Sequence, residues 1–146
     1  MSFQNDAGTV RWKLHLTSPP ERVYEALATE AGRARFWAEA APENGAAITF
    51  RFPGHAPHTG RILHREPPRR FAVEYFGAAT EFTLRPDGRG GTDLELVARG
   101  VAEPERTEIA AGWVSVLMAM KAAVDHGVDL RNHDPARCWQ TGYADN

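Results

Sequence analysis

Residues 104–126 read as one long amphipathic helix placed after a series of short strands, and this pairing constrains the fold more than any other feature of the chain. In PERTEIAAGWVSVLMAMKAAVDHG, Ile109, Trp113, Val116, Met120 and Val124 recur at helical spacing and make one apolar face. Pro104 suits the first turn, Glu105 and Glu108 lie at the positive end of the helix, and Gly127 suits the position after the last turn. At about 1.5 Å per residue the helix runs roughly 34 Å, longer than an ordinary strand. It can cross a whole sheet, and the space between the two is then either a packed core or a ligand cavity. The residues leave both readings open.

The segments before the helix supply that sheet. Over 10–16, Val10, Trp12, Leu14 and Leu16 alternate with Arg11, Lys13 and His15, as in a half-buried strand. Ser18 then offers an N-cap, with Pro19 at the first helical position and Glu21 completing a capping box. A short helix to Thr29 follows, and a second over 30–37 that contains Gly32. Strands are predicted over 46–52, 60–66, 70–76, 80–85 and 92–98. The loop PGHAPHTG, the pair Pro67-Pro68 and the turn PDGRGG separate them. Consecutive strands with short turns make an antiparallel meander, and helices segregated to one face of it make an α+β domain.

With 146 residues the chain fits one domain, and seven Phe, four Trp and three Tyr furnish its core or the wall of a pocket. The net charge of −2 gives no global attraction to nucleic acid or to an anionic membrane. Arginine far outnumbers lysine, which occurs only as Lys13 and Lys121, a compositional sign of GC-rich coding. One cysteine, Cys138, excludes an intrachain disulfide and fits a reducing compartment. The N-terminus lacks the basic lead and apolar core of a signal peptide, and no apolar run approaches a membrane span. A soluble cytoplasmic protein is expected.

The order of elements and several local sequences resemble the START-like (SRPBCC) superfamily. They are most similar to its AHSA-like branch, that of the C-terminal domain of the heat-shock protein 90 ATPase activator. The pieces that carry the resemblance are SPPERVYEAL, Arg35-Phe36-Trp37, GRILHREPPRRFAVEY, LRPDGRGGTDLEL and the Gly112-Trp113 pair on the last helix. It covers residues 8–127, leaving 128–146 as a tail that packs on the domain or on a partner subunit. The resemblance implies the helix-grip fold of START domains and the birch-pollen allergen. In it a curved antiparallel sheet of about six strands wraps the C-terminal helix, with two short helices after the first strand. It also implies a cavity for a lipid-, sterol- or polyketide-like molecule. The superfamily has no shared catalytic set to carry over. The last strand ends in Ala98-Arg99-Gly100, where many relatives of this branch have a histidine.

The wall of such a cavity is expected from Trp37, Phe50, Phe52, Tyr75, Phe82, Trp113, Leu117 and Met120, with Tyr75 orienting the ligand. Close packing of the same side chains is the competing reading. His64 shares a face with Ile62 if its strand is regular, and is the one candidate for acid–base work. A bulge would turn it to solvent. His55 and His58 lack the further ligands that a metal site needs, so no metal and no cofactor is expected. Arg65, Arg69 and Arg70 read as a solvated hairpin corner, and Cys138 as a plain thiol beside Trp139, which with Tyr143 anchors the tail. The function expected of a bacterial chain of this kind is binding of a small hydrophobic molecule. A cyclase or hydrolase in the same cavity and a chaperone-activator-like interaction domain are the alternatives. A homodimer through the tail or a sheet edge is a side expectation.

Overall fold

A computed structural model describes Gln4 and residues 6–146. Strand β1 (Thr9–Leu16) leads into helices α1 (Pro20–Ala28) and α2 (Glu30–Ala34). Six strands follow: β2 (Glu43–Asn44), β3 (Ala47–Phe50), β4 (His58–Glu66), β5 (Arg70–Tyr75), β6 (Ala78–Pro86) and β7 (Thr92–Arg99). A 3-10 turn (Glu103–Glu105) opens helix α3 (Arg106–His126). The sheet is antiparallel with order β1-β7-β6-β5-β4-β3-β2. It has seven strands where six were expected, because the two-residue β2 is too short to show alternation.

The alternation in the sequence sets the register. Val10 faces Ala98 across the ladder, Trp12 faces Leu96 and Leu14 faces Leu94, so the apolar sides of β1 and β7 coincide. Phe71, Val73, Phe82, Leu84, Leu94 and Leu96 are buried in the same core. Against them α3 packs Trp113, Leu117, Ala119, Met120, Ala123 and Val124. By length and composition Glu103–His126 reaches the level of a membrane span, with a mean hydropathy of 1.3, although no such run was expected. In the fold the sheet covers much of its apolar face.

The C-terminal end of α3 is tied down. Gly127 adopts φ 65°, and its N–H and that of Val128 reach the Ala123 and Ala122 carbonyls at 3.1 and 3.0 Å. Within the same last turn, the shielded Asp125 carboxylate accepts from Thr17 N–H (2.9 Å), Ser18 N–H (3.1 Å) and Ser18 O–H (2.8 Å). Ser18 is therefore not the N-cap of α1. The helix starts one residue later, Pro19 occupies the cap without a side-chain bond, and no capping box forms. The serine hydroxyl joins β1 to α3 instead, a long-range partnership that local sequence does not reveal.

The corner between α1 and α2 positions the next segment. Thr29 caps α2 by accepting from Gly32 N–H at 3.0 Å. A side chain at Gly32 would lie 2.5 Å from the Glu25 carbonyl oxygen, so only glycine lets the two helices meet so closely. The helix ends at Ala34 rather than at 37, and a turn delivers Trp37 to the core. Arg33 holds this turn from within. Fully buried, it donates to the Leu27 carbonyl (3.0 Å), to the Ala41 carbonyl (2.8 and 3.2 Å) and to Glu43 (3.1 Å).

Candidate functional site

Trp37 is the hub of an aromatic cluster at the N-terminal half of α3. Its ring centroid lies 4.8 Å from Phe50, 5.5 Å from Tyr75, 5.6 Å from Phe82 and 5.7 Å from Trp113. Trp113 in turn lies 5.1 Å from Tyr75 and 5.7 Å from Phe82. Most of these pairs are edge-on or tilted, the arrangements that ring quadrupoles favour.

A cavity of about 510 Å³ opens beside this cluster. Trp37, Phe52, Tyr75, Phe76, Ile109 and Trp113 form its apolar wall, with Val116 and Trp139 beyond them. Of the eight wall residues expected from the sequence, Trp37, Phe52, Tyr75 and Trp113 line it. Phe50, Phe82, Leu117 and Met120 lie behind the wall in the solid core. Met120 is seven residues beyond Trp113, about 10 Å along the axis. The helix thus answers the question of core or cavity differently along its length: packed core toward the C-terminal end, open space toward the N-terminal end. A second, more open depression, lined by Ala46, Ala47, Thr59, Arg61 and Glu74, lacks any aromatic wall.

Polar groups in the cavity are few. Trp37 is 3% exposed, and its indole nitrogen is shielded from the open space, beside the Tyr75 phenol. Burial raises the pKa of the Tyr75 phenol, and a hydrogen bond from the Trp37 indole opposes it more weakly. Tyr75 therefore stays neutral at physiological pH and serves as a hydroxyl donor or acceptor. Glu105 and Glu108 stand at the rim, at the start of α3.

His64 lies outside this lining. The register shifts between Ile62 and His64, a bulge that breaks the alternation. The imidazole is 40% exposed and pairs with Glu66 at 3.3 Å. The loop histidines join the aromatic cluster instead. His55 meets Phe52 and Phe76 edge-on and lines the cavity, while His58 stacks on Phe76 at 4.3 Å and accepts the Phe76 backbone N–H at 3.0 Å. Among the described residues no three His, Cys, Asp or Glu side chains gather as a metal site. Arg65, Arg69 and Arg70 are each paired, with Glu43, Glu66 and Glu81.

Phe76 was missed because strict alternation sends it away from Tyr75. Its φ of 47° ends the strand and brings the two rings to 4.7 Å. The tail was missed as lining because it has no period. It folds back over the cavity: Trp139 donates to Glu108 at 2.9 Å, Ser115 donates to the Ala144 carbonyl, and Gln140, Ala144 and Asn146 complete the rim. Arg131 anchors it by donating to the Ala34 and Ala38 carbonyls at 2.8 and 2.9 Å. His133 bridges Glu39 (2.5 Å) and Asp129 (2.7 Å). Cys138, within this tail, is buried near Gly54.

The family profile described as activator of Hsp90 ATPase homolog 1-like protein matches residues 17–125. Among solved structures, the fold is similar to that of protein SSP2350 from Staphylococcus saprophyticus. The identity is 21%, over 87% of this chain and 98% of that one, with a TM-score of 0.73. It is similar to the Aha1 dimer from Colwellia psychrerythraea at 19% identity, over 82% and 97% of the two chains, with a TM-score of 0.72. It is also similar to DynU16, a protein of the dynemicin biosynthetic locus, at 19% identity over 85% and 49%, with a TM-score of 0.72. These likenesses establish the fold. No curated protein matches the chain.

Proposed function

This chain belongs to the activator of Hsp90 ATPase homolog 1-like protein family, and we propose that it binds a small hydrophobic molecule in the cavity beside Trp37 and Trp113. The observation that carries this reading is a cavity of about 510 Å³ walled by aromatic rings. That volume is within the range of about 300–1,000 Å³ typical of small-molecule sites. A close-packed core leaves no such space. A lipid-, sterol- or polyketide-like body fits such an apolar wall. Binding without chemistry accounts for the site. Its lining holds the neutral Tyr75, with His55, Glu105 and Glu108, while His64 is turned away.

Native mass spectrometry of freshly purified protein, with thermal unfolding against a panel of lipids, sterols and polyketides, tests the proposal. A retained apolar species or a ligand-dependent rise in Tm supports it. Absence of both across the panel refutes it. The family's description suggests a surface-mediated alternative, stimulation of an Hsp90 ATPase, which an ATPase assay with and without this chain reads directly.

A further inference from the structure

The tail over the cavity is bonded mainly to itself. Its two ends are tied together: Asn132 N–H donates to the Asp145 carbonyl at 2.7 Å, and the Asn132 side-chain amide donates to the Asp145 carboxylate at 3.0 Å. Between them Arg137 N–H reaches the Asp134 carbonyl at 2.9 Å, and Thr141 and Tyr143 N–H reach the Cys138 carbonyl at 3.1 and 3.2 Å. Residues 132–145 thus form a compact surface loop with joined ends, an Ω-loop. Just before it, the Arg131 side chain is 6% exposed and held by the Ala34 and Ala38 carbonyls, which makes it a fixed pivot. The loop's hold on the domain is light. Among the described residues no backbone–backbone hydrogen bond joins 132–146 to the rest of the chain. Side chains make the connections: His133 to Glu39 and Asp129, Trp139 to Glu108, and Ser115 to the Ala144 carbonyl. Within 132–146 only Cys138 is buried, in the space left by the missing side chain of Gly54, where a Cβ would lie 3.1 Å from its sulfur. Tyr143, expected as an anchor, is 41% exposed.

Building on the ligand-binding reading above, we propose that residues 132–145 are a lid that swings about Arg131 as one body and gates entry to the cavity and exit from it. Trp139, Gln140 and Ala144 of this loop line the cavity, so the segment with the least buried apolar surface is also the one that closes over it. Segments of that kind open locally at a small fraction of the free energy of global unfolding. Opening breaks the bonds of Trp139 to Glu108, of Ser115 to Ala144 and of His133 to Glu39, and withdraws Cys138 from Gly54. The bonds inside the loop survive, so it closes again without refolding. The gap lies between the loop of Pro53 and His55 and the first half of α3, both of which line the cavity. A tail that only covers surface would add stability and leave the rates of ligand exchange unchanged.

The test uses Glu39→Ala and His133→Asn in the full chain, which cut the same bond between lid and domain from either side. Neither residue lines the cavity, asparagine tolerates the φ of 57° at His133, and thermal unfolding verifies that both variants are folded. Cys138 is the chain's one thiol, and its reaction with a water-soluble disulfide reagent reads opening with no ligand present. Both variants are expected to react faster by about threefold to tenfold, the change in open population that losing one or two hydrogen bonds brings. The neutral fluorescent probe N-phenyl-1-naphthylamine then reads the gate by stopped flow. Its association and dissociation rates are expected to rise together by a similar factor, with little change in Kd; binding by the variants alone is the extreme of the same result. Unchanged thiol reaction in both variants refutes the lid. Faster thiol reaction with unchanged probe rates shows a loop that opens without gating, so the proposal falls and the cavity reading stands. If the probe binds neither the native chain nor the variants, both fall.

Discussion

Gly112 lies in the middle of α3, lines the cavity and faces Trp139. Replacing it with alanine has a predictable sign. Glycine in a helix interior is about 0.8–1.0 kcal/mol less favourable than alanine. An added Cβ meets only the Cζ2 of Trp139, at 3.9 Å, an ordinary van der Waals contact. Such a contact contributes about 0.1–0.2 kcal/mol. No opposing strain is present, so Gly112→Ala stabilises the protein by about 1 kcal/mol, raising Tm by about 3 °C for a chain of this size. A phenylalanine at the same position projects into the cavity and against Trp139, so it removes ligand binding while the helix persists. Urea and thermal unfolding read the first variant, and native mass spectrometry or ligand titration reads the second. Destabilisation by Gly112→Ala would show that the tail packs on α3 more tightly than the structure has it. Undiminished binding in Gly112→Phe would place the ligand elsewhere.

Three further outcomes follow from the contacts. Removing the buried Arg33 fork as Arg33→Ala leaves the Leu27 and Ala41 carbonyls without this donor and Glu43 with Arg65 alone, and costs about 3 kcal/mol in denaturant unfolding. Asp125→Ala, which deletes three hydrogen bonds to a shielded carboxylate, costs about 3 kcal/mol. Burial pushes the Asp125 pKa up, but bonds from Thr17 and Ser18 outweigh it and the net shift is downward. Its stabilisation is therefore full above the ordinary carboxyl pKa, is lost as pH falls through the depressed value, and is absent from the pH profile of Asp125→Asn. The pKa of His133 is raised, first by its bond to Glu39 and then by that to Asp129. Docking of the tail is therefore strongest below the ordinary histidine pKa and weakens as pH rises through the raised one. Trp139 fluorescence should report this, and His133→Gln should abolish it.

The legible parts of the chain were those governed by periodicity. Strand alternation placed Val10, Phe71, Phe82 and Leu96 on the inner face, and helical spacing placed Trp113, Met120 and Val124 on the gripped side of α3. Contacts between distant segments were not legible. Arg33 reads as a surface charge until three carbonyl and carboxylate partners surround it, and Ser18 reads as a local cap until Asp125 takes its hydroxyl. The candidate site was half legible for the same reason. Inward phase identifies a core-facing ring, but not whether space or another side chain lies beyond it. Phase therefore grouped the cavity residue Trp113 with the core residue Met120. Phe76, Trp139 and the loop histidines reach the cavity through a left-handed residue, a returning tail and a loop, none of which carries a period.

The central claim is that the space beside Trp37 holds a ligand, and the four tryptophan indole N–H signals test it most directly. In a ¹⁵N-resolved NMR titration with a ligand found by mass spectrometry, the indole signals of Trp37, Trp113 and Trp139, whose rings line the cavity, are expected to shift. The Trp12 indole, which donates to the Ala110 carbonyl at 3.0 Å and does not line the cavity, stays in place. A ligand that shifts Trp12 and leaves Trp37 unmoved would contradict the account.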